Sequence, residues 1–140
     1  MSTVNTGNAP RPVGAYPHAR RVGNLLFLSG VGPRRAADDT VPGNVFDEHG
    51  ALVSYDIQAQ CEQVFANVQA VLEASGATLA NLVDITVYLT DMTRDFATYN
   101  AAYAGFFSGV DACRTTVGID RLPTPIAIEL KCVAWLNDAA

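Results

Sequence analysis

The spacing of hydrophobic residues changes along the chain, and each spacing predicts a type of element. Residues 24–29 form a short apolar run that predicts a buried strand, closed by glycine and proline. From residue 57 to residue 72 the apolar positions recur at 3.6-residue spacing, which predicts an amphipathic helix. Asp56 suits the start of this helix and Gly76 its end.

Further along, residues 83–89 alternate between apolar and polar, which predicts a strand. Aromatic residues between 96 and 107 return to helical spacing, and two more alternating runs follow at 115–119 and 126–134. Strands and two helices therefore mix along one short chain. This order predicts an α+β domain in which both helices cover one face of a sheet.

The domain organisation follows from length and polarity. At 140 residues the chain is long enough for one domain with its own core. Residues 1–12 are polar and rich in proline, and we expect a flexible N-terminal arm there, followed by a single domain over 13–140. Residues 33–50 predict a long loop with a short hairpin, and loops of this length are often functional.

Composition narrows the classes of function. The net charge of −5 is the wrong sign for a general nucleic-acid binder, and no apolar run approaches a membrane span. Three cysteines without zinc-ligand spacing fit a reducing compartment, and the N-terminus lacks an apolar signal region. We therefore expect a cytoplasmic protein with no metal, no nucleic-acid partner and no membrane contact.

Two charged residues are the first candidates for chemistry. If the last two strands pair, alternation predicts that Arg114 and Thr116 share a sheet face with Glu129. An arginine can hold a substrate carboxylate there, and a glutamate can activate water. The alternative is a structural ion pair at a subunit contact. The same face is half apolar, with Val133 and Trp135, which predicts a homo-oligomer.

The remaining candidates lie near the first buried strand. Tyr16 and Ser29 offer hydroxyl groups to a ligand, although each also fits ordinary turn packing. Arg34 and Arg35 lie in the long loop. Two interpretations remain open: they bind an anion, or they belong to a solvent-exposed charged turn.

An ordered set of short motifs runs along nearly the whole chain. They are Gly14 and Tyr16; Leu28-Ser29-Gly30; Asp56 with Asn67-Val68; Asp95-Phe96-Ala97 with Asn100, Tyr103 and Phe106-Phe107; Arg114; Arg121-Leu122-Pro123; and Ile128-Glu129. Each motif is weak alone, but the ordered set over residues 13–136 resembles the Rid (YjgF-like) family.

This resemblance implies a chorismate-mutase-like fold, a mixed sheet of about six strands with two helices packed on one face. It also implies a homotrimer with three clefts at the subunit interfaces, no cofactor, and hydrolysis of enamines and imines to ketones and ammonia. The arginine matching Arg114 would bind the substrate carboxylate. Tyr16, Ser29, Asn100 and Glu129 match residues that line the cleft, with the glutamate near the hydrolytic water.

Within the family, Pro33-Arg34-Arg35 and the run Arg114-Thr115-Thr116-Val117 look most like the 2-aminomuconate deaminases of aromatic catabolism. Thr116 stands where many relatives carry cysteine. Those enzymes convert a six-carbon dicarboxylic enamine to 4-oxalocrotonate and ammonia, and Arg34 or Arg35 is the candidate for its second carboxylate. The alternatives are a general deaminase of 2-aminoacrylate-type intermediates and a non-catalytic, ligand-binding or chaperone-like trimer. The net charge disfavours the ribonuclease role also attributed to the family.

Overall fold

A six-stranded sheet organises the computed structural model, which describes residues 1–137. Its strands are β1 (Ser2–Val4), β2 (Ala19–Val22), β3 (Leu25–Leu28), β6 (Leu82–Leu89), β7 (Cys113–Gly118) and β8 (Ile128–Trp135), in the order β1-β2-β3-β8-β6-β7. Within residues 1–137, β6 and β7 run parallel and the other neighbouring strands run antiparallel. β4 (Val45–Phe46) and β5 (Leu52–Ser54) form a separate hairpin that begins in the predicted loop of residues 33–50 and ends just beyond it.

The two predicted helices are α1 (Ile57–Ala74) and α2 (Met92–Phe106). The Asp56 side chain caps α1 by accepting from the backbone N–H of Ala59, and Asp91 caps α2 in the same way. The chain leaves α1 through Gly76, whose φ of 76° favours glycine.

Both helices cover one face of the sheet, as predicted. On that face β6 and β8 present fully buried residues, with α1 packed against them: Ile85, Val87, Leu89, Leu130, Cys132, Ala134, Val64, Val68 and Leu72. The mixed α+β sheet with two helices is therefore confirmed. The other face, here called the open face, carries Glu129 and Lys131 and exposes Val22, Phe27 and Trp135.

The N-terminal residues contain more structure than expected. Ser2–Val4 form an edge strand that pairs with Ala19–Val22, and Ala9 is buried at 4% exposure. The expectation of a loose arm is therefore wrong at these positions. The sequence did not predict this strand because the segment contains few apolar residues. Its ladder hydrogen bonds to β2 and the packing of Val4 against the core hold it in place.

The register of β7 corrects the predicted shared face. β7 pairs with β6 and not with β8, and Ile85 and Val87 stand beside Arg114 and Thr116. Neighbours in register point to the same side of a sheet, so Arg114 and Thr116 lie on the helix face. Glu129 pairs with Tyr88 and lies on the open face. The two charged residues therefore do not share a face.

A bulge between Leu82 and Asp84 accounts for a second difference at the start of β6. The extra residue turns Val83 outward and leaves Leu82 buried, although strict alternation predicted a buried Val83.

No helix within residues 1–137 is both long enough and apolar enough to cross a membrane. In the same part of the chain, no group of three or more His, Cys, Asp or Glu side chains is placed to hold a metal ion.

Candidate functional site

The candidate residues form two separate groups. The first, here called the Glu129 pocket, lies at the end of β3 and brings together Tyr16, Gly30, Gly32, Arg34 and Glu129. The second, here called the Arg114 platform, lies between β7 and α2 and consists of Tyr99, Asn100, Tyr103, Arg114 and Thr116.

Glu129 occupies its pocket without a partner. It is half-buried, and no hydrogen-bond donor among residues 1–137 contacts its carboxylate. Burial raises the pKa of the Glu129 carboxyl above its usual range. Gly30 packs directly against it: a Cβ at Gly30 would lie 2.9 Å from both Cδ and Oε2 of Glu129. The glycine therefore makes room for a carboxylate in a partly dry site.

The other side of the pocket is formed by the turn that precedes β2. The Ser29 hydroxyl donates to the carbonyl of Pro17 at 2.7 Å, which fixes this turn to the end of β3. Tyr16 lies in the same turn, where its backbone N–H donates to Gly14 O at 3.0 Å. Its side chain is 42% exposed and lines the pocket with Glu129. Ser29 is thus occupied with the backbone, while Tyr16 is accessible.

Below the pocket, Asn67 of α1 holds the loop that carries Arg34. It is buried, and its amide donates to the carbonyls of Gly32 at 2.9 Å and Arg34 at 2.8 Å. These two bonds fix the backbone of the loop where it leaves β3.

The Arg114 platform presents a cation on two aromatic rings. The guanidinium carbon of Arg114 lies 4.7 Å from the ring centroid of Tyr103 and 5.3 Å from that of Tyr99. Nη1 donates to Asn100 Oδ1 at 2.9 Å. Arg114 itself is exposed, so the platform orients the guanidinium while leaving it accessible to an anion.

Thr116 supports this platform from below. Its hydroxyl shares a 2.7 Å hydrogen bond with that of Tyr99, which is fully buried. Burial raises the pKa of the Tyr99 hydroxyl, which therefore stays protonated. The Thr116 hydroxyl thus bonds the same Tyr99 side chain whose ring lies under Arg114.

A buried carboxylate anchors the start of α2. Asp95 is fully buried, and its Oδ2 accepts from the Tyr55 hydroxyl at 2.6 Å, while Oδ1 has no hydrogen-bond partner. Burial raises the pKa of Asp95, and burial together with the Asp95 contact raises the pKa of Tyr55 to about 12. Arg94 stacks on the Tyr55 ring at 4.1 Å. These contacts tie α2, and with it the platform, to the end of β5.

One protomer does not bring the two groups together. Arg114 and Glu129 lie on opposite faces, on strands separated by β6, which puts them about 10 Å apart across the sheet alone. Arg35 lies outside both groups: its Nη1 donates to Thr40 at 2.7 Å, beside Phe46 and Pro125. The condition for a shared face, pairing of β7 with β8, is therefore not met, and within one chain Arg114 and Glu129 do not share a cleft.

Sequence reasoning missed the contribution of His18. Its Nδ1 accepts from Thr6 N–H at 3.2 Å and its Nε2 donates to Pro10 O at 2.8 Å, so the ring ties residues 6–10 to the turn that carries Tyr16. A histidine beside a proline carries no pattern that would predict this. The signal for the platform was present, since Tyr99 and Tyr103 recur at one-turn spacing around Asn100.

A profile of the family described as Endoribonuclease L-PSP matches residues 6–136, which include both groups. The chain belongs to this family. It is the Rid (YjgF-like) family that the ordered motifs resemble. A RutC family protein of Pyrococcus horikoshii is 38% identical over 132 residues, covering 94% of this chain and 95% of that protein.

Two further Rid-family relatives are informative. The 2-iminobutanoate/2-iminopropanoate deaminase of Escherichia coli K12 is 34% identical over 135 residues, covering 94% of this chain and 95% of that enzyme. The crystal structure of the E. coli YjgF gene product matches with a TM-score of 0.82 and 33% identity, over 96% of this chain and 98% of that one.

The Tyr99–Thr116 hydrogen bond can be tested by stability alone. We predict that Thr116→Val lowers the free energy of unfolding by about 1–3 kcal/mol, because it leaves a buried hydroxyl unpaired. The double variant Tyr99→Phe/Thr116→Val should lose less than Thr116→Val, and Thr116→Ser should stay close to the parent. Urea unfolding measures the parent, Thr116→Val, Tyr99→Phe, the double variant and Thr116→Ser. Losses of the two single variants that simply add in the double variant would contradict the coupling.

Proposed function

We propose that this protein hydrolyses enamine and imine carboxylates to 2-oxo acids and ammonia. The observation that carries the proposal is Glu129, a half-buried carboxylate without a donor, in a pocket shared with the accessible Tyr16. The chain's membership of the Rid family and the printed activity of the E. coli relative support it.

The substrate carboxylate binds Arg114. A guanidinium offers two parallel N–H groups to a carboxylate, and Tyr103 and Asn100 already fix its plane. Holding the carboxylate fixes the neighbouring carbon, which is the one that water attacks. Positioning of this kind contributes to rate by removing the entropy cost of encounter.

Glu129 handles the protons of hydrolysis. The enamine first tautomerises to the imine. The carboxylate then takes a proton from water as the new C–O bond forms, and the C=N electrons move to nitrogen. It returns that proton to the nitrogen, which gives a carbinolamine with an NH2 group. Glu129 then moves the proton of the new hydroxyl to this nitrogen, so that ammonia leaves as the C–N bond breaks and the C=O bond of the ketone forms. Tyr16 steadies the amino nitrogen through its hydroxyl. A raised pKa suits this role because it makes the Glu129 carboxylate a stronger base toward water than an ordinary glutamate.

A complete site needs two protomers, with the Arg114 platform of one facing the Glu129 pocket of the next. The separation of the two groups in one chain supports this arrangement. Val22, Phe27 and Trp135 on the open face supply apolar surface for an assembly. We propose a homotrimer with three equivalent sites.

Among substrates, 2-aminomuconate is our first choice, since the motifs around Arg34 and Thr116 resemble that branch of the family. The alternative is a general deaminase of short 2-iminocarboxylates, the kind of activity named for the E. coli relative.

Ammonia release tests the activity. Freshly generated 2-aminomuconate, 2-aminoacrylate and 2-iminobutanoate should each be offered to the parent and to variants. We expect turnover by the parent, and a fall in kcat/KM of roughly 10²-fold or more in Arg114→Ala, because a charged bidentate contact and its positioning are lost. Arg114→Lys should retain part of the activity.

Arg21→Ala is the matched control, since Arg21 bonds a turn carbonyl far from both groups. Fast turnover of the six-carbon substrate would support assignment to the 2-aminomuconate branch. Preference for the short substrates would support a general deaminase of 2-iminocarboxylates. Full activity of Arg114→Ala would contradict the proposed carboxylate contact.

The raised pKa of Glu129 predicts the acid limb of the pH profile. As pH falls, Glu129 becomes protonated at a higher pH than an ordinary glutamate does. Because the protonated form cannot act as a base, kcat/KM should decline at a pH above the usual glutamate range. In Glu129→Gln this limb should vanish and activity should fall by roughly 10²–10⁴-fold. The profile is measured after subtraction of uncatalysed hydrolysis. A limb that persists in Glu129→Gln belongs to another group.

The assembly is measured by analytical ultracentrifugation at micromolar concentration. The expected mass is three times the 14.9 kDa of the chain. A monomer with full activity would contradict a site shared between protomers.

A further inference from the structure

Arg34 is a mostly buried cation in the wall of the Glu129 pocket. Its side chain is 16% exposed, and it lines the pocket together with Tyr16, Gly30 and Glu129. The backbone at Arg34 is fixed from below by Asn67. A buried charge is stable only when an opposite charge or hydrogen bonds replace its lost hydration. The role of Arg34 therefore depends on its counter-ion.

That counter-ion is exposed and held in an unfavourable backbone conformation. Nη1 of Arg34 donates to Asp39 Oδ1 at 2.9 Å, but the Asp39 side chain is 61% exposed. Asp39 also has φ of 63°, in the left-handed region that non-glycine residues seldom adopt. An ion pair with one partner in water gains little, so another carboxylate can replace Asp39 at small cost.

The guanidinium has donors left for such an exchange. Nη2 of Arg34 donates to the carbonyl of Arg11 at 2.8 Å, which keeps the side chain in place without neutralising it. The two bonds use two of five N–H groups. The cation is therefore held in position by a neutral contact, while the charged contact is the exposed one.

Its neighbour Arg35 differs in every one of these respects. Arg35 is exposed, bonds Thr40 through both its backbone and its side chain, and lies beside Phe46 and Pro125, away from Glu129. The chain thus provides a matched control one residue away.

We propose that Arg34 binds a second carboxylate of the substrate, which displaces Asp39, and that the site thereby selects dicarboxylic over monocarboxylic substrates. The inference rests on the proposed function, because it assumes that the reacting end of the substrate lies at Glu129. Displacement exchanges one carboxylate for another, so the pocket keeps its charge balance, and a fork of N–H groups suits the incoming group.

The test uses stable 2-oxo acids, the product class of the proposed reaction, so that binding is read without turnover. 2-Oxoadipate and 2-oxohexanoate have the same six-carbon chain and differ in the second carboxylate. Isothermal titration calorimetry of the assembled protein gives the ratio of their dissociation constants for the parent, Arg34→Met, Asp39→Asn and Arg35→Met.

The parent should prefer the dicarboxylate. Arg34→Met should reduce the preference roughly 10- to 100-fold, because a charged contact is lost. Asp39→Asn should increase it roughly two- to fivefold, because the competing anion is gone while asparagine tolerates the left-handed conformation. Arg35→Met should leave the ratio as it is.

A merely structural ion pair predicts a different pattern, in which Asp39→Asn weakens binding as Arg34→Met does. That result, or a parent without any preference, would overturn the inference. If Arg34→Met fails to fold, the Asp39→Asn variant alone tests the inference, because its substitution is at an exposed residue and should increase the preference for the dicarboxylate. An absence of ammonia release from every imine would instead refute the proposed function. The ratios of dissociation constants would still test whether Arg34 binds a second carboxylate.

Discussion

The pairing of β6 on both of its edges is the constraint on which the account depends. Because Ile85 and Val87 fill the core between β6 and α1, their neighbours in register on β7 also face the helices, and these neighbours include Arg114. Glu129 stands beside Tyr88 on the other side of the same strand. The pleat fixes these directions, so no change of rotamer brings the two charges through the sheet. A reaction that needs both of them needs a second protomer.

Each of the two groups is oriented by contacts within its own chain. Asn100 and the rings of Tyr99 and Tyr103 set the plane of the Arg114 guanidinium. In the other half, the close approach of Gly30 fixes the space around the Glu129 carboxylate. Groups that are already oriented lose little entropy when substrate binds, which is the condition for efficient positioning. In the proposed homotrimer, two preformed surfaces would therefore meet, and no flexible segment of either group would have to become ordered.

Sequence periodicity predicted both helices and the alternation of β8, since burial on one face imposes a strong pattern there. The capping residues of α1 were also predicted, but the Asp91 cap of α2 was not. Periodicity assigned the wrong face to the residues of β7, because an edge strand buries fewer side chains and its alternation is therefore a weaker guide to the buried face. Thr115 and Val117 look like core positions, whereas Arg114 and Thr116 face α2 and are satisfied there by Asn100 and by the Tyr99 hydroxyl. Strand order is a long-range property that local spacing does not contain. The motifs of the family named the candidate residues, but they did not predict which of these residues lie on each face of the sheet.

The most direct test of a site shared between protomers is complementation. Arg114→Ala and Glu129→Gln should each be almost inactive in imine hydrolysis. When the two are unfolded together, mixed in equal amounts and refolded, random assembly gives some interfaces an intact arginine from one protomer and an intact glutamate from the next. A site shared between protomers predicts recovery of about a quarter of the parent activity, since in random assembly each of the two residues is intact at half of the interfaces. Mixtures that stay as inactive as the separate variants, although they assemble, would contradict it.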